Sequence, residues 1–150
     1  MYTTSTLELT RAGAMKVLES AVTAAKDRGR AVSIAVVDAG GHLLAFTRTD
    51  QAEPYSVAIA IAKARGAALT RFPTGKRSPS GNERSDHHAL AITLAAGADS
   101  FVSMPGGVPV TASGRIVGAV GISGAGHQDA EIAQSAATVL EERPDSGGAG

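Results

Sequence analysis

The sequence predicts an α+β fold: an antiparallel sheet of about four to five strands flanked by helices, in profilin-like layers. Three observations predict it. Two pairs of β-rich runs are each closed by a glycine turn, Ala39-Gly40-Gly41 and Ser113-Gly114. Segments with apolar residues at helical spacing lie before, between and after those pairs. Hairpins rather than crossovers join the strands, which makes the sheet antiparallel with helices against it.

Along the chain, Ser5-Thr-Leu-Glu8 matches a capping box and places a helix start there. Leu7, Met15, Leu18, Val22 and Ala25 then recur at helical spacing, and Arg28-Gly29 ends a helix over residues 6–28. Residues 31–38 (AVSIAVVD) and 42–48 (HLLAFTR) read as a hairpin. A turn longer than two residues would bring Asp38 and Arg48 to neighbouring strand ends. Pro54 suits a helix first turn, and that helix runs to about Thr70. Val57, Ile61, Ala64, Ala68 and Leu69 form its expected packed side, and its many alanines let another element approach closely. Residues 72–83 carry two Pro and two Gly and read as a long loop, of the kind used as a lid or an oligomer contact. Residues 84–96 form a short helix closed by Gly97.

The second hairpin follows, with β-formers Val108, Val110, Ile116, Val117, Val120 and Ile122. Gly118 and Gly121 inside its second strand point to close approach of another backbone or a ligand. Residues 128–142 form the last helix, with Ile132, Ala136, Val139 and Leu140 inward. Residues 1–143 are expected to make a single domain, and 144–150 a disordered tail.

The chain has 150 residues, enough for one core, and 43% of them are hydrophobic. Aromatics are only 3% and Trp is absent, so the core rests on Ala, Val, Ile and Leu. Fourteen basic residues balance fourteen acidic ones, which argues against a nucleic-acid partner. Zero net charge is poor for keeping a monomer in solution and favours a homo-oligomer. With no Cys, disulfides, thiolate metal sites and Cys nucleophiles are excluded. The first residues show neither the basic nor the apolar region of a signal peptide, and no apolar run has membrane-spanning length. The expectation is a cytoplasmic protein with no membrane partner.

Four motifs in order, VVDAGGHLLAFTRTD, the AKA of residues 62–64, MPGGVPV, and VGAVGISG followed by QDAEIA, make residues 6–142 resemble the GlcG/HbpS family. That family includes haem-binding proteins, the small protein of glycolate-utilisation operons and the C-terminal domain of PduO-type adenosyltransferases. The resemblance implies a small antiparallel sheet flanked by helices, oligomers, small ligands near subunit contacts and, for some members, haem binding or degradation. The chain departs from the family pattern twice. Arg48-Thr-Asp-Gln51 stands where the family usually reads Arg-Met-Asp-Gly, and Arg84-Ser-Asp-His-His88 has no counterpart in it.

Each candidate residue has two readings. His87 and His88 diverge by about 100° on a helix, so they cannot both aim at one point. One of them would bind haem iron or act as a base with Asp86 as orienter; otherwise they belong to a solvated helix start. His42 either meets other histidines across a subunit contact or sits in an exposed turn. His127, at a helix start, stays neutral and able to accept a proton, or simply caps. Four His and no Cys give no metal spacing, so no metal site is expected. Gly106 and Gly107, stiffened by Pro105 and Pro109, offer free N–H groups for a carboxylate, and Gly124 repeats that logic before a helix. Lys63 within an apolar helix requires a partner, Asp50 or Asp38, and Arg48 with Lys63 would hold an anionic ligand or form structural ion pairs.

Three functions are consistent with these residues. The first is a small-ligand-binding oligomer whose ligand or cofactor is haem or a related tetrapyrrole. The second is a cofactor-independent isomerase, lyase or hydrolase acting on a small anionic oxo- or hydroxy-acid. There the Gly106 and Gly107 amides and Arg48 hold the anion, and His42, His87 or His127 moves the proton. The third is an accessory domain without chemistry.

Overall fold

The computed structural model describes residues 1–141. Strands β1 (Ser33–Asp38) and β2 (Leu43–Arg48) form the first hairpin, and β3 (Gly107–Ala112) and β4 (Arg115–Ser123) the second. β1 also pairs antiparallel with β4, so one four-stranded sheet runs in the order β2-β1-β4-β3. The expected α+β architecture is present. The segment 144–150, read as a tail, lies outside the described residues.

β1 is central and carries core on both faces, which is why its sequence is an unbroken apolar run rather than an alternation. Ile34 and Val36 join Val120, Ile122 and the inner residues of α1 (Arg11–Asp27) and α4 (Asp129–Ala137) in the larger cluster. Ala35, Val37 and Ala119 pack on the other face against Ala60, Ala64, Ala67 and Ala68 of α2 (Ser56–Thr70).

Several boundaries differ from the sequence reading. α1 begins at Arg11, because the Thr10 hydroxyl caps it by accepting from the Gly13 N–H at 3.1 Å; the capping box at Ser5 is not used. α4 ends at Ala137 rather than 142. On α2 the large residues Val57 and Ile61 are half-buried and Leu69 is exposed, while the small residues face the sheet. The cause lies in the strands. A Cβ at Gly121 would overlap the Ala60 carbonyl oxygen, and one at Gly107 would overlap the Lys63 carbonyl oxygen. These two glycines are register partners, so α2 lies unusually close to the sheet above them.

The segment 72–83 is folded back on itself by a turn at Ser78–Asn82 and a bridge between Arg77 and Glu83. Helix α3 (Asp86–Ala96) follows, capped by Ser85, whose hydroxyl accepts from the His88 N–H. None of its residues is buried. No helix among the described residues is long and apolar enough to cross a membrane.

Candidate functional site

The close approach of α2 to the sheet puts a lysine where its apolar sequence context makes it costly. Lys63 is 3% exposed, and its ammonium donates to Asp129 Oδ2 and to the Ile122 carbonyl, both at 2.9 Å. Asp129, 4% exposed, is the first residue of α4, and its other oxygen accepts from the Ala125 N–H at 2.8 Å. The partner of Lys63 is therefore Asp129, not the expected Asp50 or Asp38. Gly106 makes room for the pair: a Cβ there would stand 2.9 Å from Lys63 Nζ and 2.7 Å from the Ile122 carbonyl oxygen.

This ion pair forms the wall of an open cleft of about 490 Å³, within the usual ligand-pocket range of about 300–1,000 Å³. The cleft lies at the sheet end where the α1–β1, β2–α2 and β4–α4 connections meet. Arg30, Glu53, Tyr55, Ser123, Gly124 and Met104 also line it. The Glu53 carboxylate, by a hydrogen bond and by its charge, raises the Tyr55 phenol above its ordinary value of 10.0 and holds it protonated. The N–H groups of Gly124 and Gly126 meet no acceptor among the described residues. A Cβ at Gly124 would lie 2.6 Å from the Ala31 carbonyl oxygen, so this glycine also serves the closure of the loop.

Of the residues singled out in the sequence, Lys63, Gly106 and Gly124 converge here; the others do not. The Gly107 N–H is not free, because it donates to Thr74 Oγ1 at 2.8 Å. Pro105 is exposed beside it. Arg48 is exposed on the edge strand, opposite Ser33, and Asp50 is exposed in the following turn. Asp38 lies at the other end of the hairpin from Arg48. Its Oδ1 accepts from the N–H groups of Gly40 and His42 and stands 3.4 Å from His42 Nδ1, whose side chain is exposed. The expectation that Asp38 and Arg48 share a strand end is thus overturned by the antiparallel register. His127 is exposed after the Gly-Ala-Gly loop, and His87 and His88 are exposed on α3. Among the described residues, no group of three or more His, Cys, Asp or Glu could hold a metal ion.

The sequence reading missed Arg30, Ser123 and Asp129. For Asp129 a signal existed: an acidic residue opening a helix inside one of the quoted motifs. Arg30 and Ser123 carry no local signal, since only tertiary folding brings their loops together.

A family model for "Haem degrading protein HbpS-like" matches residues 9–138. The chain belongs to the HbpS-like family. Among its relatives, Protein GlcG of Escherichia coli K12 is 44% identical over 92 residues, 61% of this chain, and the match spans 63% of GlcG's own length. Two solved structures share the HbpS-like fold across nearly the whole chain. A double mutant of Streptomyces reticuli HbpS has a TM-score of 0.73 and 34% identity, covering 93% of this chain and 92% of that one. A PduOC:heme complex has a TM-score of 0.71 and 26% identity, covering 87% and 93%. The resemblance drawn from the four motifs is met by all three.

Proposed function

We propose that the chain binds a haem-type tetrapyrrole on the exposed face of α3. One observation carries this reading: an exposed imidazole stands beside exposed leucines on a helix that buries nothing. His87, Leu90 and Leu94 are spaced three and four apart and so share one face. Leu90 is 59% exposed and Leu94 76%. Two exposed leucines one turn apart offer apolar surface to a guest, and imidazole is a common ligand of haem iron.

The residues present suit such a guest. His87 would supply an imidazole ligand and the leucines an apolar floor. The loop that leads into α3 supplies cations for the propionates: Lys76 and Arg77 are exposed and make no ion pair among the described residues. The Lys76 carbonyl accepts from the Arg84 N–H, which ties this basic loop to the start of α3. Bound haem would supply a redox-active iron; the chain's own part is to hold and orient the ring. A flat ring lying on one helix leaves its second face uncovered, and a second copy of this chain is the cover we assign, giving a homo-oligomer. Membership of the HbpS-like family and the haem complex of the PduOC relative support haem as the guest; the choice of α3 rests on this chain's own His87, Leu90 and Leu94.

The enzyme alternative loses its constellation. The Gly107 N–H is engaged by Thr74, and Arg48 sits three strands away across the sheet, about 14 Å at the usual strand spacing.

Hemin titration followed in the Soret band tests the proposal. His87→Ala removes the spectral signature of imidazole ligation, and Leu90→Ser with Leu94→Ser weakens binding by about tenfold or more. Both variants keep the wild-type unfolding transition, because these side chains are exposed. An unchanged titration in both variants rejects the α3 site.

A further inference from the structure

The cleft beside Lys63 is not used by the α3 reading, and no histidine lines it. We propose that it is a separate binding site for a small organic monocarboxylate.

The first observation is Ser123. It is 6% exposed and lines the cleft, yet its hydroxyl has no hydrogen-bond partner among the described residues. Every fully sealed side-chain nitrogen or oxygen among them does have one. The Ser123 oxygen is therefore open to the cleft and free to meet a ligand atom in place of water. The second is the charge balance. Lys63 is neutralised by Asp129, while Glu53 keeps the negative charge that raises Tyr55, so the charges lining the cleft sum to zero and the site for an anion is local to Arg30. Arg30 makes no ion pair among the described residues, and its guanidinium lies 3.9 Å from the position of a Cβ on Gly126. The ammonium of Lys63 uses two of its three donors on the protein. The Gly124 and Gly126 amides add further donors on the same wall.

Arg30, the Gly124 and Gly126 amides and the Ser123 hydroxyl form a patch of donors within the cleft, and that patch suits an anion. A singly charged, planar carboxylate matches the fork of Arg30. A phosphate dianion would face Glu53 and Asp129 within the cleft, and Asp50 on the adjoining depression that Arg30 also lines. Ile59 and Met104 give the cleft an apolar side for the body of the acid.

Chemical-shift titration of the full chain with butyrate, acetate and inorganic phosphate tests this. Butyrate binds more tightly than acetate, and both more tightly than phosphate, with shifts centred on Ser123, Gly124 and Arg30. Arg30→Ala weakens butyrate by about tenfold or more, and Ser123→Ala by about threefold. Hemin binding is unchanged in both variants, which keeps failure here distinguishable from failure of the α3 site. Three results overturn the proposal: no shifts at tens of millimolar butyrate, phosphate binding as tightly as butyrate, or displacement of butyrate by stoichiometric hemin.

Discussion

Lys63 Nζ and Asp129 Oδ2 lie 2.9 Å apart in the sequence-distant contact that joins α2 to the start of α4. Both side chains are almost wholly out of water, so removing one strands the other. Lys63→Met leaves a buried carboxylate without its cation and costs about 3–5 kcal/mol in denaturant unfolding. Lys63→Met combined with Asp129→Leu removes both charges and recovers most of that loss. If the double variant is as unstable as the single one, packing rather than charge holds this joint together.

The glycines under α2 make a sharper demand than their turn-forming relatives. Gly121→Ala forces a methyl group into the Ala60 carbonyl, and backbone on both sides resists the shift. The expected loss is about 2–3 kcal/mol, typical of overpacking. At Gly114, in the β3–β4 turn, φ is +71° but a Cβ would meet nothing within 4 Å. Gly114→Ala therefore carries only the left-handed backbone penalty, about 1 kcal/mol. Equal losses at the two positions would mean that α2 can lift away freely.

Gln51 occupies the left-handed region, with φ at +70°. It stands in the turn that carries β2 toward α2. A non-glycine residue there costs about 1–2 kcal/mol, offset by roughly 0.5–1 kcal/mol of lower unfolded-state entropy. Gln51→Gly is expected to be neutral or to stabilise by up to about 1 kcal/mol in chemical denaturation. A clear loss would show that the glutamine side chain, which lines the cleft, contributes contacts of its own.

Much of the scaffold was legible because its signals are local. The Gly40-Gly41 and Ser113-Gly114 turns fix two hairpins, and apolar residues at helical spacing locate the body and end of α1, though its start lies five residues later than expected. The pairing of β1 with β4 left no such trace, since Ser33 and Ser123 meet only in the folded chain. The site followed the same division. An isolated lysine in AIAIAKARGAA announced that it needed a buried partner, but nothing nearby said which acid. The amides of Gly106 and Gly107 looked free because the sequence cannot show that Thr74 folds back to take one of them. The face of α2 was misread for a related reason. Larger residues normally point inward, yet the small ones do so here because two glycines on neighbouring strands remove the intervening Cβ atoms.

Tyr55 gives the cleft a pH-dependent group. It is two-thirds exposed, and Glu53 raises its phenol above 10.0 through a hydrogen bond and through its negative charge. The folded-state value lies above the unfolded one. The contribution of the pair is therefore complete below about pH 10 and is lost as pH rises through the raised folded value. The chain has two tyrosines, so Tyr2→Phe leaves Tyr55 as the sole phenol in an ultraviolet titration. Glu53→Gln in that background removes the charge that opposes the phenolate, and the titration midpoint moves down. An unmoved midpoint would show that Glu53 does not hold the phenol in solution.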